Sequence, residues 1–151
     1  MNRFDVVTRL AAPPERVFEA SLDVETHLGS MADSGERAVG GVTAGQLKLG
    51  DSVTWRATHF GIQWRMRVLI TACEAPNFFV DEQVRGPFRR WHHAHYFEND
   101  GASGTVMRDV VEFAAPLGPL GAIAEAAVLN RYMPKLILQR NEYLKASLET
   151  R

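Results

Sequence analysis

Cysteine and excess charge are both scarce in this 151-residue chain. Cys73 is the single cysteine, which excludes a disulfide within the chain and suits a reducing cytoplasm. The formal net charge of -1 provides no electrostatic attraction for nucleic acid or for an anionic membrane surface. No apolar run is long enough to span a membrane, and the first residues lack the apolar core of a signal peptide. We therefore expect a cytoplasmic protein with a single domain over residues 1–151.

The C-terminal segment from Pro119 to Glu149 has no glycine after Gly121 and predicts one long helix. Apolar residues recur there at helical spacing, namely Leu120, Ala124, Val128, Tyr132 and Leu136. Pro134 is the one breaker, and inside a helix it predicts a kink rather than an end. At 1.5 Å per residue the helix would be about 45 Å long, which is too long for a small domain to surround with further helices. A curved sheet could cover it.

The middle of the chain predicts antiparallel strands. A first strand over Phe4–Leu10 precedes a short helix that opens at Pro13 and Pro14. After Gly50 a run of strands follows, and the cleanest period-two alternation carries Ile62, Trp64, Met66, Val68 and Ile70 on one face. One strand, a helix, a run of strands and a terminal helix make an α+β fold.

Three stretches of the sequence resemble the START/Bet v 1-like (SRPBCC) superfamily. They are Ala-Pro-Pro-Glu-Arg-Val-Phe at residues 12–18, Leu-Gly-Asp at residues 49–51, and the run from Phe-Val-Asp-Glu through Trp-His-His-Ala-His-Tyr-Phe at residues 79–97. Within this superfamily, the sequence resembles the bacterial polyketide cyclase/dehydrase-like proteins. The resemblance implies a helix-grip fold, in which a curved antiparallel sheet wraps round a long C-terminal helix and leaves an internal cavity. Lipid carriers, hormone receptors and cyclases share this fold, so it implies little about the reaction.

Polar residues lie on the predicted inner face of the sheet. A turn centred near Pro87 places Asp81 opposite His93, and a turn centred near Gly101 places His93 opposite Asp109. These pairings predict a row of Asp81, His93 and Asp109 across three strands, with His95 one step along. The alternation of the apolar residues Phe78, Val80 and Val84 argues instead that Asp81 faces outward.

Three interpretations of this row remain open, because inward charges are costly unless they are paired. In the first, the row is a self-contained polar network. In the second, His93 or His95 is a general acid/base or ligand anchor, and Asp109 raises its pKa and holds its ring. In the third, His93, His95 and a carboxylate bind a metal. The sequence identifies no third or fourth metal ligand, so we predict neither a metal nor another cofactor. The predicted catalytic set is therefore His93, His95, Asp109 and Asp81.

The predicted cavity favours binding of a small hydrophobic or aromatic molecule. Its expected wall is largely aromatic and aliphatic, formed by Trp55, Trp64, Met66, Phe79, Trp91, Phe97, Met107, Val111, Ala124, Val128 and Tyr132. A polyketide cyclase or dehydratase that uses a His-Asp pair is the second hypothesis, and a protein-interaction module is the third. A homodimer is compatible with each of them. His27 and His59 are isolated and receive no functional assignment.

Overall fold

Seven antiparallel strands form one curved sheet in the computed structural model, which describes residues 2–149. Their order across the sheet is β1-β7-β6-β5-β4-β3-β2. The strands are β1 (Asn2–Leu10), β2 (Arg37–Gly41), β3 (Ser52–His59), β4 (Ile62–Glu74), β5 (Phe78–Arg85), β6 (Arg90–Asn99) and β7 (Thr105–Ala114). Every strand from β3 to β7 pairs with its neighbour in sequence, so hairpins build most of the sheet. The first strand closes the order by pairing with the last.

Two short helices follow β1 and pack over the inner face of the sheet. They are α1 (Pro14–Ser21) and α2 (Val24–Ser30), and a single 3-10 turn (Ala32–Ser34) comes next. Phe18 of α1 inserts its ring edge-on between Phe79, at 5.8 Å, and Phe97, at 5.5 Å. Pro13 and Pro14 separate β1 from α1, and Pro14 is the first residue of the helix. The aromatic contacts then hold the apolar face of α1 against the sheet.

The long C-terminal helix is present, in three successive segments. These are α3 (Gly118–Ala124), a π turn (Glu125–Leu129) and α4 (Asn130–Glu149), which continues through Pro134. Residues at helical spacing form the buried face of α4: Met133, Ile137, Asn141, Leu144 and Leu148. The helix and the sheet together form the predicted helix-grip fold. No helix within residues 2–149 combines the length and the apolar character needed to cross a membrane.

The strand register agrees with one predicted pairing and corrects the other. Asp81 lies directly opposite His93, as expected. Val111, however, lies opposite His93, and Asp109 lies opposite His95, so the predicted β6–β7 pairing is wrong by two residues. The cause is the loop between these strands, where the Asp100 carboxylate accepts hydrogen bonds from the backbone N–H groups of Ala102 and Gly104. This arrangement lengthens the loop and moves its centre by one residue, which shifts the paired residues by two.

Candidate functional site

A cavity of about 380 Å³ lies between the sheet and the C-terminal helix. Its wall is mainly apolar, and the sheet contributes most of its aromatic side chains. Seven residues predicted to line it are in the wall: Trp55, Trp64, Met66, Phe79, Trp91, Ala124 and Tyr132. A volume of this size lies within the range that small-molecule sites occupy, about 300–1,000 Å³.

Four residues predicted to line the cavity do not. Phe97, Met107 and Val111 are almost fully buried in packed apolar clusters. Val128 is 43% exposed on the π turn and lies outside the cavity wall. Strand alternation predicted the inward face of β6 and β7 correctly but not the distance to the helix. Val111 packs in the same cluster as Met133 and Ile137 of α4, which leaves no space there for a ligand.

The cavity reaches the protein surface along one side. Phe60, in the turn between β3 and β4, belongs to the wall and is 57% exposed. Leu117 and Leu120, at the start of α3, also belong to the wall and are 75% and 67% exposed. These apolar side chains contact solvent on one side and line the cavity on the other. They form a rim past which a ligand can enter.

Two stacked histidines form the centre of a polar cluster in this wall. The rings of His93 and His95 lie 3.7 Å apart with an angle of 21° between their planes. On one side, the Asp81 Oδ2 atom lies 2.6 Å from His95 Nε2 and 3.7 Å from His93 Nδ1. On the other side, Asp109 Oδ1 lies 2.8 Å from His93 Nε2 and 3.4 Å from His95 Nδ1. The two imidazoles therefore lie between two carboxylates.

Asp81 faces the cavity, so the argument from alternation for an outward face is wrong. Phe79 and Asp81 share the inner face of β5, whereas Val80 packs on the outer face against Ala94 and Val110. Both faces of this strand are partly apolar, which is why alternation predicted the wrong orientation. Trp91 Nε1–H donates to Asp81 Oδ1 over 3.1 Å and fixes the carboxylate beside the histidines.

Asp109 lies behind the histidines, fully buried and outside the cavity wall. Arg140 Nη2 donates to its Oδ1 over 2.9 Å, and Asn141 Nδ2 donates to its Oδ2 over 2.7 Å. Asn141 also donates to Thr8 Oγ1, which connects the network to β1. Asp109 therefore affects a ligand only indirectly, through the histidines and Arg140 that it contacts. Arg140 itself contributes to the cavity wall. No sequence pattern links Arg140 with the strands, because the two are far apart along the chain.

Burial and mutual contacts set the charges of the cluster. Burial, reinforced by the neighbouring His95, lowers the pKa of His93 to about 4, so this ring is neutral at pH 7. Its hydrogen bond to Asp109 uses the proton on Nε2, which leaves Nδ1 as an unprotonated acceptor. Burial alone would raise the pKa of Asp81, but His93 and the hydrogen bond from His95 outweigh it and lower the pKa to about 2. Burial likewise opposes ionisation of Asp109, yet the Arg140 guanidinium and both histidines hold its pKa well below the usual range.

Two further polar pairs line the cavity, and of their four residues only Tyr132 was predicted from the sequence to lie in its wall. His27 Nε2 lies 2.8 Å from Glu36 Oε2, and the His27 ring stacks on Trp55 at 4.1 Å. His59 Nδ1 lies 2.5 Å from the Tyr132 hydroxyl. Each pair joins residues from separate elements, so only the tertiary fold brings its members together. They supply additional polar contacts within a mostly apolar wall.

Comparisons with known proteins identify the fold. No protein-family model matches the chain, and no curated protein sequence matches it significantly. Among solved structures, the chain is similar to TTHA0849 from Thermus thermophilus, with a TM-score of 0.75, 17% identity and coverage of 97% of this chain and 99% of that one. It is similar to a START superfamily protein from Mycobacterium smegmatis, with a TM-score of 0.75, 10% identity and coverage of 98% and 97%. It is also similar to Ara h 8.0201, with a TM-score of 0.73, 12% identity and coverage of 99% of both chains.

These identities are too low to transfer a ligand or a reaction, but the matches extend over nearly the whole of each chain. The curved seven-stranded sheet, the long C-terminal helix and the cavity between them agree with the matched architecture. The chain has the START/Bet v 1-like helix-grip fold.

Proposed function

We propose that this protein binds a small hydrophobic or aromatic molecule in the cavity between the sheet and the C-terminal helix. The observation that carries the proposal is the cavity itself, with a volume of about 380 Å³ and a wall of aromatic and aliphatic side chains. Burial of apolar ligand surface stabilises a complex by roughly 25 cal/mol per Å² before the costs of association are subtracted. The wall therefore supplies most of the affinity.

The polar cluster determines the orientation of the bound ligand. Asp81 is ionised, and His93 presents an unprotonated Nδ1, so both groups accept hydrogen bonds. His93 Nδ1 and Asp81 Oδ2 lie 3.7 Å apart, and two acceptors cannot hydrogen-bond to one another, so a donor on the ligand can satisfy them. A ligand that carries a hydroxyl, phenol or amine N–H on an apolar body fits this site best. A molecule that carries only acceptors or a carboxylate fits it least.

An enzyme of the cyclase or dehydratase type is the second candidate, and the Asp109–His93 hydrogen bond favours it. Asp109 orients the His93 ring so that Nδ1 is free to take a proton from a substrate, as a general base does. Proton transfer is most effective when the pKa of the base lies near the working pH. The pKa of His93 lies at about 4, which makes it a weak base at pH 7. The low pKa of His93 therefore favours binding over proton abstraction.

Native mass spectrometry of freshly purified protein is the first test. A retained molecule of apolar character supports the proposal and identifies the ligand class. For a quantitative test, the neutral aromatic amine N-phenyl-1-naphthylamine is titrated against the protein. All three tryptophans of the chain lie in the cavity wall, so quenching of their fluorescence reports directly on occupancy.

The matched variants for this titration are Asp81→Asn and Glu82→Gln, neighbours on opposite faces of β5. We expect Asp81→Asn to weaken binding about tenfold, since it replaces a charged acceptor by a neutral one, and Glu82→Gln to leave it unchanged. Saturable binding that neither variant alters would contradict the orientation proposed for the ligand. Failure of the probe to bind, together with a protein that carries no molecule in native spectra, would contradict the binding function.

A further inference from the structure

We propose that Asp81, His93 and His95 form a binding site for a divalent transition-metal ion such as Zn²⁺. The three residues offer Asp81 Oδ2, one ring nitrogen of His93 and one of His95, and these donor atoms lie within 4.8 Å of one another. All three residues belong to the cavity wall. The inference stands on the geometry of these side chains and is independent of the identity of any organic ligand.

The donor spacing is close to that of a metal site. Zinc lies 2.0–2.2 Å from nitrogen and oxygen ligands, which places two ligands of one tetrahedral ion roughly 3.3–3.6 Å apart. Asp81 Oδ2 lies 3.7 Å from His93 Nδ1 and 2.6 Å from His95 Nε2. The first distance must shorten and the second must lengthen, each by less than about 1 Å. The His93 and His95 rings are stacked with 21° between their planes, so their in-plane lone pairs run nearly side by side. Both rings must therefore tilt toward the ion before both lone pairs point at it.

The groups behind the histidines match the support that metal ligands need. Histidine ligands almost always donate their second ring N–H to a carboxylate or a carbonyl, which fixes the tautomer. Here His93 Nε2 lies 2.8 Å and His95 Nδ1 lies 3.4 Å from the same oxygen, Asp109 Oδ1. With an ion on His95 Nε2, the proton of that ring moves to Nδ1, for which Asp109 Oδ1, at 3.4 Å, is the acceptor within reach. Arg140 Nη1, a donor that lies 3.5 Å from Nδ1, must then turn away. One buried carboxylate would then orient both imidazoles, and Arg140 Nη2 and Asn141 already hold that carboxylate in place.

The charge of the cluster also favours a cation. The cluster holds two carboxylates, Asp81 and Asp109, and the guanidinium of Arg140 pairs with Asp109 and not with Asp81. A divalent ion beside Asp81 compensates the remaining negative charge inside a mainly apolar wall, where an uncompensated charge is costly. Two imidazoles and a carboxylate suit Zn²⁺, Co²⁺, Ni²⁺ or Fe²⁺, whereas Mg²⁺ and Ca²⁺ prefer sites made of oxygen ligands.

Three protein ligands leave at least one coordination position free, and in this fold it faces the cavity. Metal sites that act on substrates keep such a position for water or substrate, whereas structural zinc sites are closed by four protein ligands. A ligand with a hydroxyl or amine group could thus reach the ion directly from the apolar side of the cavity.

The test uses the full chain, free of any histidine tag, after treatment with a chelator and its removal. Zn²⁺ is titrated by calorimetry, and Co²⁺ is followed by visible absorption, which reports the number and type of ligands. We expect one ion per chain, a Co²⁺ spectrum with imidazole ligands and no comparable binding of Mg²⁺. We expect Asp81→Asn to weaken Zn²⁺ binding about tenfold or more, and His93→Ala to weaken it further.

The matched controls are His92→Ala, the neighbour of His93 that lies outside the cavity wall, and Cys73→Ala, the only thiol. Both should bind Zn²⁺ as the unmodified chain does. Absence of Zn²⁺ and Co²⁺ binding, or binding that Asp81→Asn leaves unchanged or that His92→Ala or Cys73→Ala removes, overturns the proposal. Asp81→Asn keeps the acceptor for Trp91 and nearly the same shape, so the test stands if His93→Ala fails to fold. Binding of N-phenyl-1-naphthylamine to chelator-treated protein separates this result from that for the organic ligand.

Discussion

His93 donates to Asp109 over 2.8 Å although Val111, not Asp109, stands directly opposite His93 on β7. The contact runs diagonally across the ladder, which allows one carboxylate to approach His95, its direct neighbour, at 3.4 Å as well. Arg140 reaches the same oxygen from α4 at 2.9 Å. A single buried aspartate thus connects β6, β7 and the C-terminal helix behind the cavity.

Removing Asp109 should cost far more stability than removing an exposed aspartate. Asp109→Ala leaves the buried Arg140 guanidinium without its carboxylate and Asn141 without one of its two acceptors, so we expect a loss of about 3–5 kcal/mol in the free energy of unfolding. Urea denaturation measures this loss in the free energy of unfolding. The control is Asp5→Ala on the paired strand β1, which breaks a largely exposed ion pair with Arg108 and should cost about 0–1 kcal/mol. Equal losses in both variants would show that the buried network contributes no more to stability than an exposed ion pair.

Stability of the metal-free protein should fall as the pH falls below 6.5. The pKa of His93 is about 4 in the folded chain against an ordinary value of 6.5, so between these values only the unfolded chain takes up a proton. This difference corresponds to about 3 kcal/mol of stability lost between pH 7 and pH 4. Asp81, with a pKa of about 2 against 3.8, extends the loss to lower pH with the same sign.

Urea midpoints at pH 7, 5.5 and 4 measure this dependence, and His93→Gln is the matched variant because its amide does not titrate. The slope of stability against pH between 6.5 and 4 should be smaller in that variant. A stability that rises on acidification, or a slope that His93→Gln leaves unchanged, would show that His93 is not the group responsible.

A large side chain at Ala124 should block the cavity. Ala124, the last residue of α3, contributes to the cavity wall. Ala126, two residues later in the π turn, does not, and both residues are exposed. We expect Ala124→Phe to weaken binding of N-phenyl-1-naphthylamine about tenfold and Ala126→Phe to leave it unchanged. Fluorescence titration measures both dissociation constants, and the similar exposure of the two sites makes them a matched pair. Equal affinities would place the probe outside the cavity.

Gly121→Ala should destabilise the protein, although the same substitution ordinarily stabilises a helix. Gly→Ala inside a helix usually gains about 0.5–1 kcal/mol. At Gly121, however, an added Cβ would lie 1.9 Å from the Pro116 carbonyl oxygen, which belongs to the backbone and cannot move aside cheaply. We therefore expect Gly121→Ala to destabilise the protein by about 1–3 kcal/mol, as overpacking does. A melting temperature equal to or above that of the unmodified chain would contradict the tight contact between α3 and the preceding turn.

The strands and the long helix were predictable because local patterns encode them. Period-two alternation from Ile62 to Ile70 identified β4 and placed Trp64 and Met66 on the inner face, where both line the cavity. The same rule was ambiguous for Asp81, since apolar residues lie on both faces of β5. It could not separate cavity wall from packed core either, because Val111 and Trp91 both point inward and only the distance to α4 distinguishes them.

The residue sequence by itself determined the elements, the fold class and the choice of His93, His95 and Asp109 as inward polar residues. The tertiary structure alone decided how they meet. The loop after Asn99 set the register that turned the His93–Asp109 contact into a diagonal one, and packing of α4 on the sheet brought Arg140 to Asp109. Hydrogen bonds and ion pairs depend on distances of a few tenths of an ångström between residues far apart in the chain, and hydrophobic periodicity carries no information at that scale.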